Sequence, residues 1–125
     1  MDYLVETFKT HSSLAYSATA DFGNTNAGKN LWVSLSADNT VRLAQDNAVL
    51  IGRLLEVRKN GTCSVEVFAQ KTKAVIGEAV ARGNSLIGDG AGKVKPAAAT
   101  VTRPRGIALS AGTNDGDVID VALIC

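Results

Sequence analysis

Between Val49 and Phe68 the chain reads VLIGRLLEVRKNGTCSVEVF, two apolar-rich, β-branched stretches on either side of Lys59-Asn60-Gly61. Asn and Gly tolerate the positive φ that tight β connections need, so the pattern predicts a hairpin. A two-residue loop would set Glu56 against Val65 and Arg58 against Cys63, mixing polar and apolar on one face. A three-residue loop instead pairs Val57 with Cys63, Leu55 with Val65 and Glu56 with Ser64. Like then faces like, and a one-residue slip would invert every side chain. The predicted turn is type I closed by a G1 bulge, with Gly61 left-handed.

The remaining pattern from Lys29 onward is short and β-like. Leu31, Val33 and Leu35 alternate with Trp32 and Ser34, Asp38-Asn39 turns the chain, and Val41-Arg42-Leu43 returns. Lys73–Ile76 predicts another brief strand, and Glu78–Arg82 either one helical turn or a loop. Ser85-Leu86-Ile87 leads into the turn Gly88–Gly92 and back through Lys93-Val94-Lys95. Pro96–Thr102 is a small-residue connection. Ile107 and Leu109 form a strand, Gly112–Gly116 turns it, and Val118–Ile124 follows. Strands at this spacing with glycine-rich turns indicate an all-β fold, a small barrel- or sandwich-like body of short antiparallel strands.

Residues 1–30 differ from the 31–125 body. Tyr3, Leu4, Phe8, Leu14, Tyr16 and Phe22 are large apolar anchors with no sustained period of two or of 3.6, followed by the loop-like Gly23–Gly28. This reads as an irregular N-terminal arm, laid either on its own domain or on a neighbour.

An internal echo runs through the body. Val41 corresponds to Val94, Gly52 to Gly106 and Val65 to Ile119, offsets of 53, 54 and 54. A near-constant offset is what an internal duplication leaves, although strand, Asp/Gly turn, strand recurs in any antiparallel protein. If the echo is a duplication, the halves superpose around Gly52 and Gly106, where a missing side chain lets strands approach or bend.

Composition narrows the function. With 125 residues, 46% hydrophobic and 20% charged, the chain is one globular domain. A formal charge of +1 gives no electrostatic footprint for nucleic acid. The densest basic point, Arg103-Pro104-Arg105, reads as a solvated strand entrance. No apolar run reaches membrane length and no signal-peptide pattern opens the sequence, so a protein made and used in a cytosol is expected. Cys63 reads as a buried small hydrophobe and Cys125 as a free thiol; a bridge between them stays geometrically open.

Chemistry is sparse. His11 is the single histidine and sits in the arm, with Ser12 and Ser13 lacking any nucleophile-elbow context. No zinc spacing and no cofactor motif occurs. Asn114–Asp117 with Asp120 lacks the EF-hand's closing glutamate and reads as a turn held by Asx hydrogen bonds. Gly88–Lys93 departs from a phosphate loop and reads as a hairpin tip. No enzyme is expected. Two other readings are a metal enzyme built on Asp115, Asp117 or Asp120, and a small ligand- or glycan-binding barrel with Trp32 at a pocket mouth.

The succession of Asn26-Ala27-Gly28-Lys29, LWVSLSADNTVRLA, VLIGRLLEV, GTCSVEVF, RGNSLIGDGAGKVKPA, RGIALSA and GDVIDVAL resembles the capsid decoration (cement) proteins of tailed bacteriophages, over roughly residues 26 to 124. The resemblance implies a β-rich virion module on the outer surface of the assembled head, clamping neighbouring major capsid protein subunits. It implies a homo-oligomer, a trimer above all, with no cofactor and no direct contact with nucleic acid or membrane. Tyr3, Leu4, Phe8, Leu14, Tyr16, Phe22 and Trp32 are then the expected capsid or subunit contacts, since aromatic anchors dominate such interfaces.

Overall fold

The computed structural model describes residues 3–12, 30–97 and 105–123. Strand accounts for 62% and no α-helix occurs among the described residues, so the fold is all-β. Among the described residues nine strands run in order: β1 (Tyr3–Thr10), β2 (Trp32–Ala37), β3 (Thr40–Leu43), β4 (Gly52–Val57), β5 (Thr62–Val75), β6 (Ser85–Gly90), β7 (Lys93–Pro96), β8 (Gly106–Ala108) and β9 (Val118–Leu123). The sheet order is β1-β3-β2-β4-β5-β9-β8-β6-β7, and an additional β1–β5 pairing closes the first five strands into a barrel.

The central hairpin forms β4 and β5. Val57 pairs with Cys63 and Glu56 with Ser64, Gly61 takes φ +79°, and Asn60 Oδ1 accepts from the Thr62 amide at 3.2 Å. The expected Leu55–Val65 pair is replaced by Leu54–Val65, because a bulge at Leu55 shifts the register between Leu54 and Glu56. Lys73–Val75 is no separate strand; it is the far end of the 14-residue β5. Glu78–Arg82 forms no helix, and Val80 makes an isolated bridge to Gly112.

The segment expected to be an irregular arm includes a strand. Tyr3–Thr10 pairs antiparallel with β5 from Ala69 to Thr62, and parallel with β3 through Lys9–Thr40 and Thr10–Val41. Its exposure explains the missing period: both faces are open over most of its length, so nothing imposed apolar alternation on it.

The echo in the sequence is a repeat of the fold. Val33 pairs with Leu43, Ser34 with Arg42, Leu35 with Val41 and Ala37 with Thr40; 53 positions on, Leu86 pairs with Pro96, Ile87 with Lys95, Gly88 with Val94 and Gly90 with Lys93. Both ladders shift register at the same step, Leu35/Ala37 and Gly88/Gly90. Val33–Gly52 likewise matches Leu86–Gly106. Beyond that point the equivalence moves: Leu54–Val65 matches Ala108–Val121, so Val65 corresponds to Val121 rather than Ile119, because the β8–β9 connection is longer.

The repeat extends to β1. Its counterpart is the C-terminal end of β5: Phe8–Cys63 matches Ala74–Ile119 and Lys9–Thr62 matches Val75–Val118. The parallel contact Thr10–Val41 matches the isolated parallel bridge Ile76–Val94. Equivalent amides make equivalent bonds, His11 N–H to the Val41 carbonyl and Gly77 N–H to the Val94 carbonyl, both at 2.9 Å. The two halves therefore have one connectivity, and β5 serves both of them.

They also share a core. Val33, Val41, Leu54, Cys63 and Val65 fill the first barrel, with Phe8 packed against them. The second cluster takes Trp32, Ala44 and Leu50 from the first half and packs them with Ile76, Leu86, Val94, Ile119, Val121 and Leu123. The tip of the β6–β7 hairpin plugs back onto the first half: Trp32 N–H donates to the Gly92 carbonyl at 2.9 Å and Gly92 N–H donates to the Ala44 carbonyl at 3.1 Å. The amide that a phosphate loop would offer to a ligand is thus already bonded. Arg105, expected at a solvated strand entrance, is half-buried and donates to the carbonyls of Ile51 and Val67 in the first half.

Candidate functional site

Three of the expected contact residues, Tyr3, Leu4 and Phe8, come together on β1. Tyr3, Leu4 and Val5 are 60%, 39% and 38% exposed, a run of large apolar side chains that the strand holds in the open. Their backbone is fixed by β5, through the pairs Tyr3–Ala69, Leu4–Phe68 and Val5–Glu66. Phe8, further along the strand, is half-buried and divides itself between the first core and a shallow depression of roughly 540 Å³. Leu35, Ser36, Ala37, Asp38 and Asn39 complete that depression. Leu35, at 53% exposure, is its second apolar wall.

Leu35 was legible as a strand residue but not as a surface one, and Val5, within the expected irregular arm, was not singled out at all. The signal for Leu35 is the tight Asp38-Asn39 turn, with Asn39 at φ +52°, which leaves the end of β2 at the barrel mouth with little chain above it. Leu14, Tyr16 and Phe22 lie outside the described residues.

Trp32 is the correction. Its side chain is 0% exposed and its Nε1 donates to the Lys73 carbonyl at 2.9 Å. Alternation placed it rightly on the outer face of β2, but the second half covers that face. Trp32 is a core anchor, neither an interface contact nor the mouth of a ligand pocket.

The acidic residues of the C-terminal turn do not converge. Asp117 Oδ2 accepts from the amides of Thr113 (3.2 Å) and Asn114 (3.0 Å), the expected Asx arrangement. Asp115 pairs with Lys93 at 2.7 Å. Asp120 pairs with Lys73 at 2.6 Å, and that hydrogen bond holds its carboxyl below the usual carboxylate range. Each carboxylate is committed to a different partner. Cys63 is buried, and desolvation pushes its thiol up to about 11 against the opposing pull of Arg58, so it stays protonated and unreactive near neutral pH. The buried Glu66 pairs with Arg53 at 3.3 Å, and Arg53 also donates to Asn30 Oδ1 at 3.0 Å, a network that braces β4 against β5.

The geometry is that of a closed five-stranded barrel joined through β5 to a second, related set of strands, with exposed apolar side chains at the start of β1. No family model matches the chain, and no curated protein does. Among solved structures it is similar to the head fiber gp8.5 N base in bacteriophage phi29, with a TM-score of 0.60 at 17% identity over 97% of this chain and 93% of that one. At that identity the likeness establishes a shared fold, and it does so over nearly the whole chain.

Proposed function

We propose that this protein is a structural component of a bacteriophage virion, bound to the outer surface of the head, where it clamps neighbouring major capsid protein subunits. The observation that carries this reading is the shared fold, end to end, with a head fiber base. The resemblance of its motifs to capsid decoration proteins points the same way. The role is non-enzymatic and needs surfaces rather than a pocket: a stiff body with a shared core, and an apolar run on β1 to lay against another protein. Tyr3, Leu4 and Val5 form that contact, with the Phe8–Leu35 depression beside them. Many copies on a lattice would multiply a modest individual affinity.

The test is co-sedimentation with purified head shells of the encoding phage. Deleting residues 1–20 is a poor variant, since it removes the strand that closes the first barrel. Tyr3→Ser, Leu4→Ser and Val5→Thr together change exposed side chains and leave the backbone ladder alone. Wild type should pellet with the shells and the triple variant, still folded by circular dichroism, should bind at least tenfold more weakly. Wild type left in the supernatant at all concentrations would refute the capsid role, and equal binding of the two would refute the β1 contact.

A further inference from the structure

Asn60-Gly61 is the single Asn-Gly step in the chain, and both residues lie exposed at the tip of the central hairpin. Arg58 N–H closes the loop onto the Thr62 carbonyl at 2.8 Å, and inside it the Gly61 N–H donates to no group among the described residues. A Cβ built on Gly61 would meet nothing within 4 Å, so the space around it is open.

The Asn60 side chain is held from the other side. Its Oδ1 accepts from the Thr62 N–H at 3.2 Å and from the Thr62 O–H at 2.6 Å. Thr62 Oγ1 in turn accepts from Arg58 Nη1 at 3.2 Å, so a cation polarises that hydroxyl. Two donors on one carbonyl oxygen draw charge from its carbon. They stand where negative charge grows when a nucleophile adds there.

We propose that Asn60-Gly61 is a site of self-modification, at which the chain converts its own asparagine and thereby loosens the end of β1. The Gly61 nitrogen gives its proton to hydroxide and adds to Asn60 Cγ. The new C–N bond closes a five-membered succinimide, and the side-chain nitrogen leaves as ammonia with a proton from water. A second water opens the ring at either carbonyl, giving aspartate or isoaspartate. In sum, an amide and water become a carboxylate and ammonium. The inference concerns the loop chemistry and stands apart from the capsid role.

Other positions lack a part of the arrangement. Every other asparagine precedes a residue whose side chain crowds the attacking nitrogen. Asn30 and Asn84 have donors on Oδ1, from Arg53 and the Ala81 amide, but precede Leu31 and Ser85. Asp115-Gly116 has the glycine, yet the Asp115 carboxylate is paired with Lys93 at 2.7 Å, and an ionised carboxylate resists addition. The link to β1 is the Gly61 carbonyl, which accepts from the Thr10 N–H at 3.0 Å, beyond the last paired position Lys9–Thr62. Isoaspartate inserts a methylene into the loop just before that carbonyl and displaces it.

The test is to hold the full chain at mildly alkaline pH and body temperature for weeks and map its peptides by mass spectrometry. The amide-to-acid mass gain should appear at Asn60 before any other asparagine, with isoaspartate detected by enzymatic methylation and lost in Asn60→Gln. Thr62→Val removes the hydroxyl and keeps the N–H. It should slow conversion roughly three- to tenfold, less than at a buried oxyanion site because water partly replaces the donor. Thr62→Ser should keep the wild-type rate. An Asn60 that stays intact in the folded chain, while the chain unfolded in guanidinium converts, would overturn the proposal, and that comparison needs no substitution to fold. Conversion as fast in a folded Thr62→Val would overturn the role of the two donors. The isoaspartate form, separated by ion exchange, should melt about 3–6 °C lower, the worth of one hydrogen bond in a chain of this size. An unchanged midpoint would refute the link to β1.

Discussion

A Cβ added to Gly52 would sit 2.1 Å from the carbonyl oxygen of Glu66, a backbone atom that has no rotamer by which to move aside. Its counterpart in the second half, Gly106, has its nearest neighbour at 3.5 Å, the Cγ1 of Val121. Neither glycine takes a positive φ, so conformational freedom is not what separates them. Gly52→Ala should therefore destabilise by about 1–3 kcal/mol through overpacking. Gly106→Ala should be neutral or stabilising by up to about 1 kcal/mol, through the unfolded chain. Urea unfolding of the two single variants measures both, and equal effects would contradict the spacing.

Trp32 offers a simpler check, because it is the single tryptophan and its emission reports one site. An indole wholly buried and bonded to Lys73 should emit at short wavelength and resist acrylamide until the protein unfolds. Trp32→Phe strands the Lys73 carbonyl and should cost about 1–3 kcal/mol. Trp32→Ala also leaves a cavity between the halves and should cost about 3–5 kcal/mol. A native spectrum like that of free tryptophan would place the ring at the surface.

These two residues show where the sequence was readable and where it fell silent. The hairpin was legible because its determinants are local: Asn60-Gly61 sets the turn, and Val57–Cys63 follows from it. The bulge at Leu55 was not, since Leu54 and Leu55 are interchangeable in an apolar pattern. The repeat was legible at Gly52 and Gly106, where the offsets are constant. It drifted at β9, where the connection after Ala108 is longer than its counterpart between β4 and β5. Trp32 was put on the correct face of its strand, but no property of β2 discloses that another half covers that face. On β1 the failure is physical: a strand exposed on both faces has no buried side to impose a period.

Arg105 tests whether the halves act as one body. Its planar guanidinium donates to two carbonyls, of Ile51 just before β4 and of Val67 within β5. Arg105→Ala should leave both acceptors short of a partner and cost about 1–3 kcal/mol. Arg105→Lys keeps the charge, yet a single ammonium cannot reproduce the fork, so it should recover only part of that loss. Thermal unfolding should stay a single transition in all three proteins, because Trp32 and Leu50 still sit in the common core. Two resolved transitions in Arg105→Ala would show that the arginine, rather than the core, couples the halves.

Cys63 makes a pH dependence with a definite sign. Burial raises its thiol from the ordinary 9.0 to about 11, and the Arg58 charge and a backbone hydrogen bond from Phe8 offset this only partly. Below pH 9 both folded and unfolded chains hold the proton, and the contribution to stability is fully present. Between 9 and 11 the unfolded chain gives up its proton while the folded one retains it, so unfolding is favoured progressively. The slope is at most about 1.4 kcal/mol per pH unit, and it ends once the folded thiol also ionises. Lysine and tyrosine titrate in the same window, so the quantity to measure is the difference between wild type and Cys63→Ala. Cys63→Ala starts lower, having lost a buried side chain, but its stability should fall less steeply from pH 9 to 11, and the two curves should converge. Parallel curves would mean that the thiol ionises as freely in the folded barrel as in the open chain, which a sulfur sealed between Val57 and Phe8 should prevent.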